Sequence, residues 1–208
     1  LSINIPDSVT NIEKNAFNSC VNLKDVHLSA KLESIEAGAF NNCKSLSKIQ
    51  LPSTLKVLRG SAFSETSLTE INIPPQMKTE DYTAANRAWG GPFAGLTTLK
   101  KVTFEQGMEE IPRGIFYSPG SMLMLEEVVL PDSLRVLHSA VFYNCRRLRR
   151  IEAGARLESL GSDLFTNCKA LRTFALRAIP SANTGLKKLL GAVSADIEAE
   201  FLDGEGAR

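Results

Sequence analysis

Apolar residues recur along this chain in a fixed order that is shown most clearly over residues 23–45, where Leu23, Val26, Leu28, Leu32, Ile35, Ala39, Phe40 and Cys43 are separated by polar positions. Val26 and Leu28 alternate with Asp25 and His27, the pattern of a short strand with one buried face. A polar turn follows, then a second apolar pair, Leu32 and Ile35, then Ala-Phe with a Cys three residues on. The next 22 residues restate the same order. The last apolar residue of each predicted strand forms a column, Ile5, Leu28, Leu51, Ile73, Phe104, Leu130, Ala153 and Leu176, with steps of 23, 23, 22, 31, 26, 23 and 23 residues. A second column holds Phe17, Phe40, Phe63, Phe93, Phe116, Phe142 and Phe165. One such unit buries too little apolar surface to offset the entropy of ordering its backbone. Stacked copies cover one another's apolar faces, so a fixed period predicts a solenoid.

The recurring L-x-x-I-x-L-P-x-x-L-x-x-I-x-x-x-A-F-x-x-C-x-x-L, followed around Phe40 with Ser29 at the Pro position, around Phe142 with Val141 in place of Ala, and around Phe165 with Leu164 in place of Ala, resembles the leucine-rich repeat of BspA-like bacterial surface proteins. The resemblance implies an α/β repeat solenoid: a right-handed leucine-rich-repeat horseshoe with a parallel sheet on its concave face and irregular or short helical turns on the convex side. It also implies a secreted or surface-attached adhesin-type protein. The chain then forms one domain over 1–208, with repeats at about 1–22, 23–45, 46–67, 68–98 (with an insertion at 77–92), 99–124, 125–147 and 148–170, and a degenerate C-terminal cap at 171–208. The sequence opens without Met and inside a strand pattern. This predicts a mature or excised fragment, with room upstream for a leader or anchor.

Composition narrows the field further. A net charge of +1 supplies no global field for nucleic acid or membrane. No run approaches the roughly 18 apolar residues of a membrane span. The four cysteines, Cys20, Cys43, Cys145 and Cys168, share one repeat position and lie no closer than 23 residues, which excludes the C-x-x-C spacing of metal or redox sites. They read as a ladder of small buried thiols; disulfides Cys20–Cys43 and Cys145–Cys168 are the alternative, since stacked neighbours approach bonding distance.

Three stretches leave the pattern. The insertion at 77–92 carries Tyr82 and the only Trp, Trp89; it reads either as a recognition loop or as an aromatic plug for the gap that it opens. Around 117–121 three extra residues have turn composition. From Ala178 the repeat fails: Thr184 is placed to cap a short helix burying Leu186, Leu189, Leu190 and Val193, and Ile197, Ala199 and Phe201 alternate like a closing strand.

Catalysis needs convergent groups, and the sequence offers none. His27 and His138 fall in different columns, repeats apart, and no phosphate loop or nucleophile elbow is present. A non-enzymatic protein is expected, without cofactor or metal. The outward positions of the predicted sheet form two rows: Asp25, Lys48, Glu70, Lys101, Glu127 and Arg150, and beside them His27, Gln50, Asn72, Thr103 and Glu152. With strands about 4.8 Å apart these make a polar surface of the kind on which repeat proteins bind extended partners. Arg146, Arg147, Arg149, Arg150 and Arg156 form the densest basic cluster, read as a solvated edge or as a patch for a sulfated glycan or acidic protein. Nucleic acid is excluded by the lack of interleaved aromatics. The expected function is a protein-interaction module at the cell surface or outside the cell, with a matrix or cell-surface protein as partner; glycan binding, or a spacer role in a larger surface protein, is the alternative.

Overall fold

The computed structural model describes residues 1–79, 90–118, 124–154, 156–177 and 198–201. A coil contributes up to three stretches. The first is a strand of one face, which holds a two-stranded sheet, β1 (Ser2–Asn4) with β3 (Asp25–His27), and a six-stranded wide sheet, β6 (Glu70–Ile73), β8 (Lys101–Phe104), β10 (Glu127–Val129), β12 (Arg150–Ala153), β14 (Thr173–Leu176) and β15 (Glu198–Phe201). The second is a two-residue strand on another face: β2 (Asn11–Ile12), β4 (Ser34–Ile35), β5 (Val57–Leu58), β7 (Lys78–Thr79), β9 (Glu110–Ile111), β11 (Val136–Leu137) and β13 (Ser159–Leu160). The third is a turn that carries the Phe column. All strand pairs are parallel. The architecture is a parallel-sheet β-solenoid.

The register follows the apolar columns. Asn4 lies beside His27, Ile73 beside Phe104, Thr103 beside Val129, and Ala153 beside Leu176. Strand β15 closes the sheet against β14, as the alternation at its sequence predicts; the expected helix capped by Thr184 lies outside the described residues. The core is built from stacked columns. Phe17, Phe40, Phe63, Phe93, Phe116, Phe142 and Phe165 stack with successive ring centroids 5.1 to 6.3 Å apart. Phe93 keeps its place in that stack although the insertion displaces it in sequence, so the extra residues leave the core intact.

Of the irregular or short helical turns expected on the outer side, the helical form is not observed: among the described residues there is no α-helix. The hydrogen bonds of the turn face give the reason. In 13–20, the amides of Ala16, Asn18 and Cys20 donate three residues back, whereas those of Asn15, Phe17 and Ser19 donate to Ala37, Ala39 and Asn41 of the next coil. A helix would direct every amide to its own segment; here alternate amides are spent between coils. Left-handed residues stand two before and two after Phe17, Phe40, Phe63, Phe142 and Phe165: Asn15, Ser19, Asn42, Ser61, Glu65, Ala140, Asn144, Asp163 and Asn167 all have φ between 54° and 65°. Gly38 serves in the same column (φ 65°), where a Cβ would lie 2.4 Å from the side-chain oxygen of Asn15.

Candidate functional site

The two sheets of the first face present the outward rows at the expected register. Asp25, Glu70, Lys101, Glu127 and Arg150 occupy one row and His27, Asn72, Thr103, Val129 and Glu152 the other. The sequence places Lys48 and Gln50 in the same rows, but 47–51 forms no strand, and no backbone bond from it continues the sheet to β3 or β6. Both side chains remain exposed, beside a hollow of about 350 Å³ that they share with Asp25, His27, Glu70 and Asn72. At the other end Ala175, an outward position by pattern, is fully buried.

Charges on this face are largely spoken for. Lys101 pairs with Glu127 at 2.6 Å, and Glu152 receives Arg150 at 3.0 Å and Arg177 at 3.2 Å. The hydrogen bond from Arg150 holds the Glu152 carboxyl below its ordinary value, assisted by Arg177 and opposed by partial burial. The basic cluster is interleaved with acid as well. Arg147 reaches Glu126 at 3.4 Å, and Arg149 shares a hollow with Glu126, Glu127, Glu152 and Asp132. Arg146 is exposed, and Arg156 lies apart in the turn between β12 and β13. The five arginines thus do not converge on one uncompensated anion site.

Tyr82 and Trp89 lie outside the described residues. The cysteine column splits: Cys20 is exposed, whereas Cys43, Cys145 and Cys168 are buried, and all four thiols are free. Cys43 and Cys168 donate to the carbonyls of Phe17 and Phe142 one coil back, at 3.1 and 3.0 Å. Burial pushes the Cys43 thiol up to about 11. Cys145 is held high first by its hydrogen bond with Cys168 and then by burial. His138 meets Glu110 at 2.9 Å, and no group of metal-binding side chains occurs among the described residues. No helix among them is long and apolar enough to cross a membrane.

One feature was missed by the sequence reading. On the second face the short strands form two sheets, β2-β4-β5-β7 and β9-β11-β13, with no pairing between β7 and β9. A cleft of about 820 Å³ opens there, lined by Lys56, Pro75, Met77 and Lys78 on one side and by Gly107, Glu109, Glu110, Pro112 and His138 on the other. Two signals in the sequence mark it. The inner strand residue normally follows the buried turn residue by three, as in Leu32–Ile35, Leu55–Leu58 and Met108–Ile111, but Thr79 follows Met77 by two. Pro112 then stands where Glu36, Arg59, His138 and Gly161 each donate an amide to the preceding coil.

Comparison with known proteins accords with this architecture. The model of the BspA type leucine-rich repeat region matches residues 1–87 and 91–186 in six copies. It indicates no enzyme family. Among solved structures, the T. pallidum leucine-rich repeat protein is 22% identical over 96% of this chain and 72% of its own, with a TM-score of 0.51; that likeness shows a shared fold. A leucine-rich repeat protein from Bacteroides ovatus (22% identity, TM-score 0.47) is covered over 61% of its length by 98% of this chain. The pneumococcal vaccine antigen PcpA (18% identity, TM-score 0.40) is covered over 68% by 97%. Comparison with curated protein sequences gives no match.

Proposed function

The chain belongs to the BspA-type leucine-rich repeat family, and from this premise we propose that it is a non-enzymatic module displayed at the bacterial surface or secreted, engaging a protein of the matrix or of a neighbouring cell. The observation that carries the reading is the outward face of the wide sheet, where β6, β8, β10, β12 and β14 run in unbroken register and hold charged and polar side chains in rows. A rigid ladder fixes these groups at little entropic loss on binding. The mixed signs of the rows favour a partner of matching charge pattern over a uniformly charged polymer.

The test is a screen of the chain against immobilised matrix proteins and glycans at low and high salt. The reading expects a protein hit that weakens when Glu70 and Asn72, or Lys101 and Thr103, are replaced by Ala. A hit confined to sulfated glycans and abolished by salt would move the function to the arginines near Glu126. Silence on every surface would leave a spacer role.

A further inference from the structure

The cleft between β7 and β9 has two open sheet edges, and the geometry points to it as a docking slot for one extended strand of a partner protein. The inference rests on the interaction-module reading and places a partner segment within it. Elsewhere on this face the paired coils share the same first rung and, where the residues are described, the same second rung. Ser34 donates to Thr10, Val57 to Glu33, Lys78 to Lys56, Val136 to Glu109 and Ser159 to Arg135; the second rung runs from Glu36 to Ile12, Arg59 to Ile35, His138 to Ile111 and Gly161 to Leu137. Between β7 and β9 both are missing. Among the described residues the Glu110 amide donates to nothing, the Met77 carbonyl accepts nothing, and Pro112 has no amide to give. Exposed strand edges of this kind template the addition of another strand.

The other two faces hold these coils together. β6 and β8 pair through four residues, and Phe63, Phe93 and Phe116 stack at 5.9 and 5.6 Å. The opening is therefore confined to one face, with the core closed behind it.

The lips define the occupant. Parallel to β7 and β9, its backbone would donate to Met77 and accept from Glu110. Its outward residue would stand between the exposed side chains of Lys78 and Glu110; a carboxylate there is repelled by one neighbour and an ammonium by the other, so a hydroxyl or amide fits. The next residue turns inward toward the column of Leu58 and Ile111, both fully buried, and must be apolar. The residue before the outward one lies beside Glu109, whose nearest recorded cation, Arg135, is 3.9 Å away; a basic residue matches it. The partner segment thus reads basic, neutral polar, apolar.

The experiment uses the whole chain and the capped peptide Leu-Arg-Ser-Ile-Thr-Gly, followed by amide NMR and hydrogen exchange. At a peptide concentration ten times its Kd, exchange at Glu110 is expected to slow about tenfold, with resonance shifts centred on Met77, Lys78, Glu110 and Ile111. Replacing Ile by Asp in the peptide, or Glu109→Lys in the exposed lip, should remove the effect. A Glu110 amide already protected in the free chain would mean that the chain fills its own cleft, and would overturn the proposal. So would shifts centred elsewhere, or none. An array hit that survives Glu109→Lys but falls with the wide-sheet substitutions would sink the slot while leaving the interaction module standing.

Discussion

The two strand faces of this solenoid are built from the same coils yet fail at different places. The wide sheet runs without a gap from β6 to β15, across the insertion, but lacks a strand at 47–51. The short-strand face runs through the third coil, where β4 pairs with β5 and β5 with β7, and then opens between β7 and β9. Each face therefore depends on its own local residue count and its own amide supply. A fault on one face does not spread, because the Phe stack behind both is continuous.

The largest expected effect is on that stack. Phe40 and Phe142 lie on opposite sides of the insertion and are both fully buried. Truncation of either to Ala should destabilise the chain by about 3–5 kcal/mol, measured by denaturant unfolding. If only one of the two variants melts early, the stack does not couple the two halves. A smaller loss, about 1–2 kcal/mol, is expected for Gly38→Ala, which forces a side chain into the left-handed region and against Asn15. Asn15→Gly, at the equivalent place one coil earlier (φ 59°), should cost less than that.

The thiols sharpen the contrast between open and closed parts of the chain. At pH 8, alkylation of the native protein should mark Cys20 and spare Cys43, Cys145 and Cys168. Because burial raises Cys43 from 9.0 to about 11, the folded chain keeps a proton that the unfolded chain releases. Stability should be constant with respect to this group below pH 9 and should fall as pH rises toward 11. Flat stability through that window would contradict the burial. The smallest effect belongs to the exposed pairs of the wide sheet: Arg150→Ala should change stability by less than about 1 kcal/mol while raising the Glu152 carboxyl toward its ordinary value, read by side-chain NMR titration.

Much of this was legible in the sequence because stacking forces equivalent residues into columns. The strand register, the Phe stack and the closing strand at Ala199 and Phe201 all followed from spacing alone. Of the irregular or short helical turns expected, the helical form is absent among the described residues, for a reason that the residues also carry. Asn15, Asn42, Asn144, Asp163 and Asn167 are types that tolerate left-handed backbone, and their recurrence around Phe17, Phe40, Phe142 and Phe165 signals turns whose amides serve the next coil. The hydrophobic spacing alone does not distinguish these from helix. The missing strand at 47–51 has no signature in its residues, since Ile49 and Leu51 keep the alternation. The cleft was legible only as a short count from Met77 to Thr79 and a proline at 112, which acquire meaning once the neighbouring rungs are known. The outward rows were readable as positions; their ion pairing, which depends on rotamers reaching across coils, was not.

The most direct test compares two amides at the same place in neighbouring coils of the free chain, Glu110 and Val136, by native-state hydrogen exchange. Val136, bonded to Glu109 at 3.0 Å, is expected to exchange slowly, and Glu110 like an amide in open solvent. Equal protection at both would mean that the short-strand face is closed between β7 and β9, and the contrast between the two faces would fall.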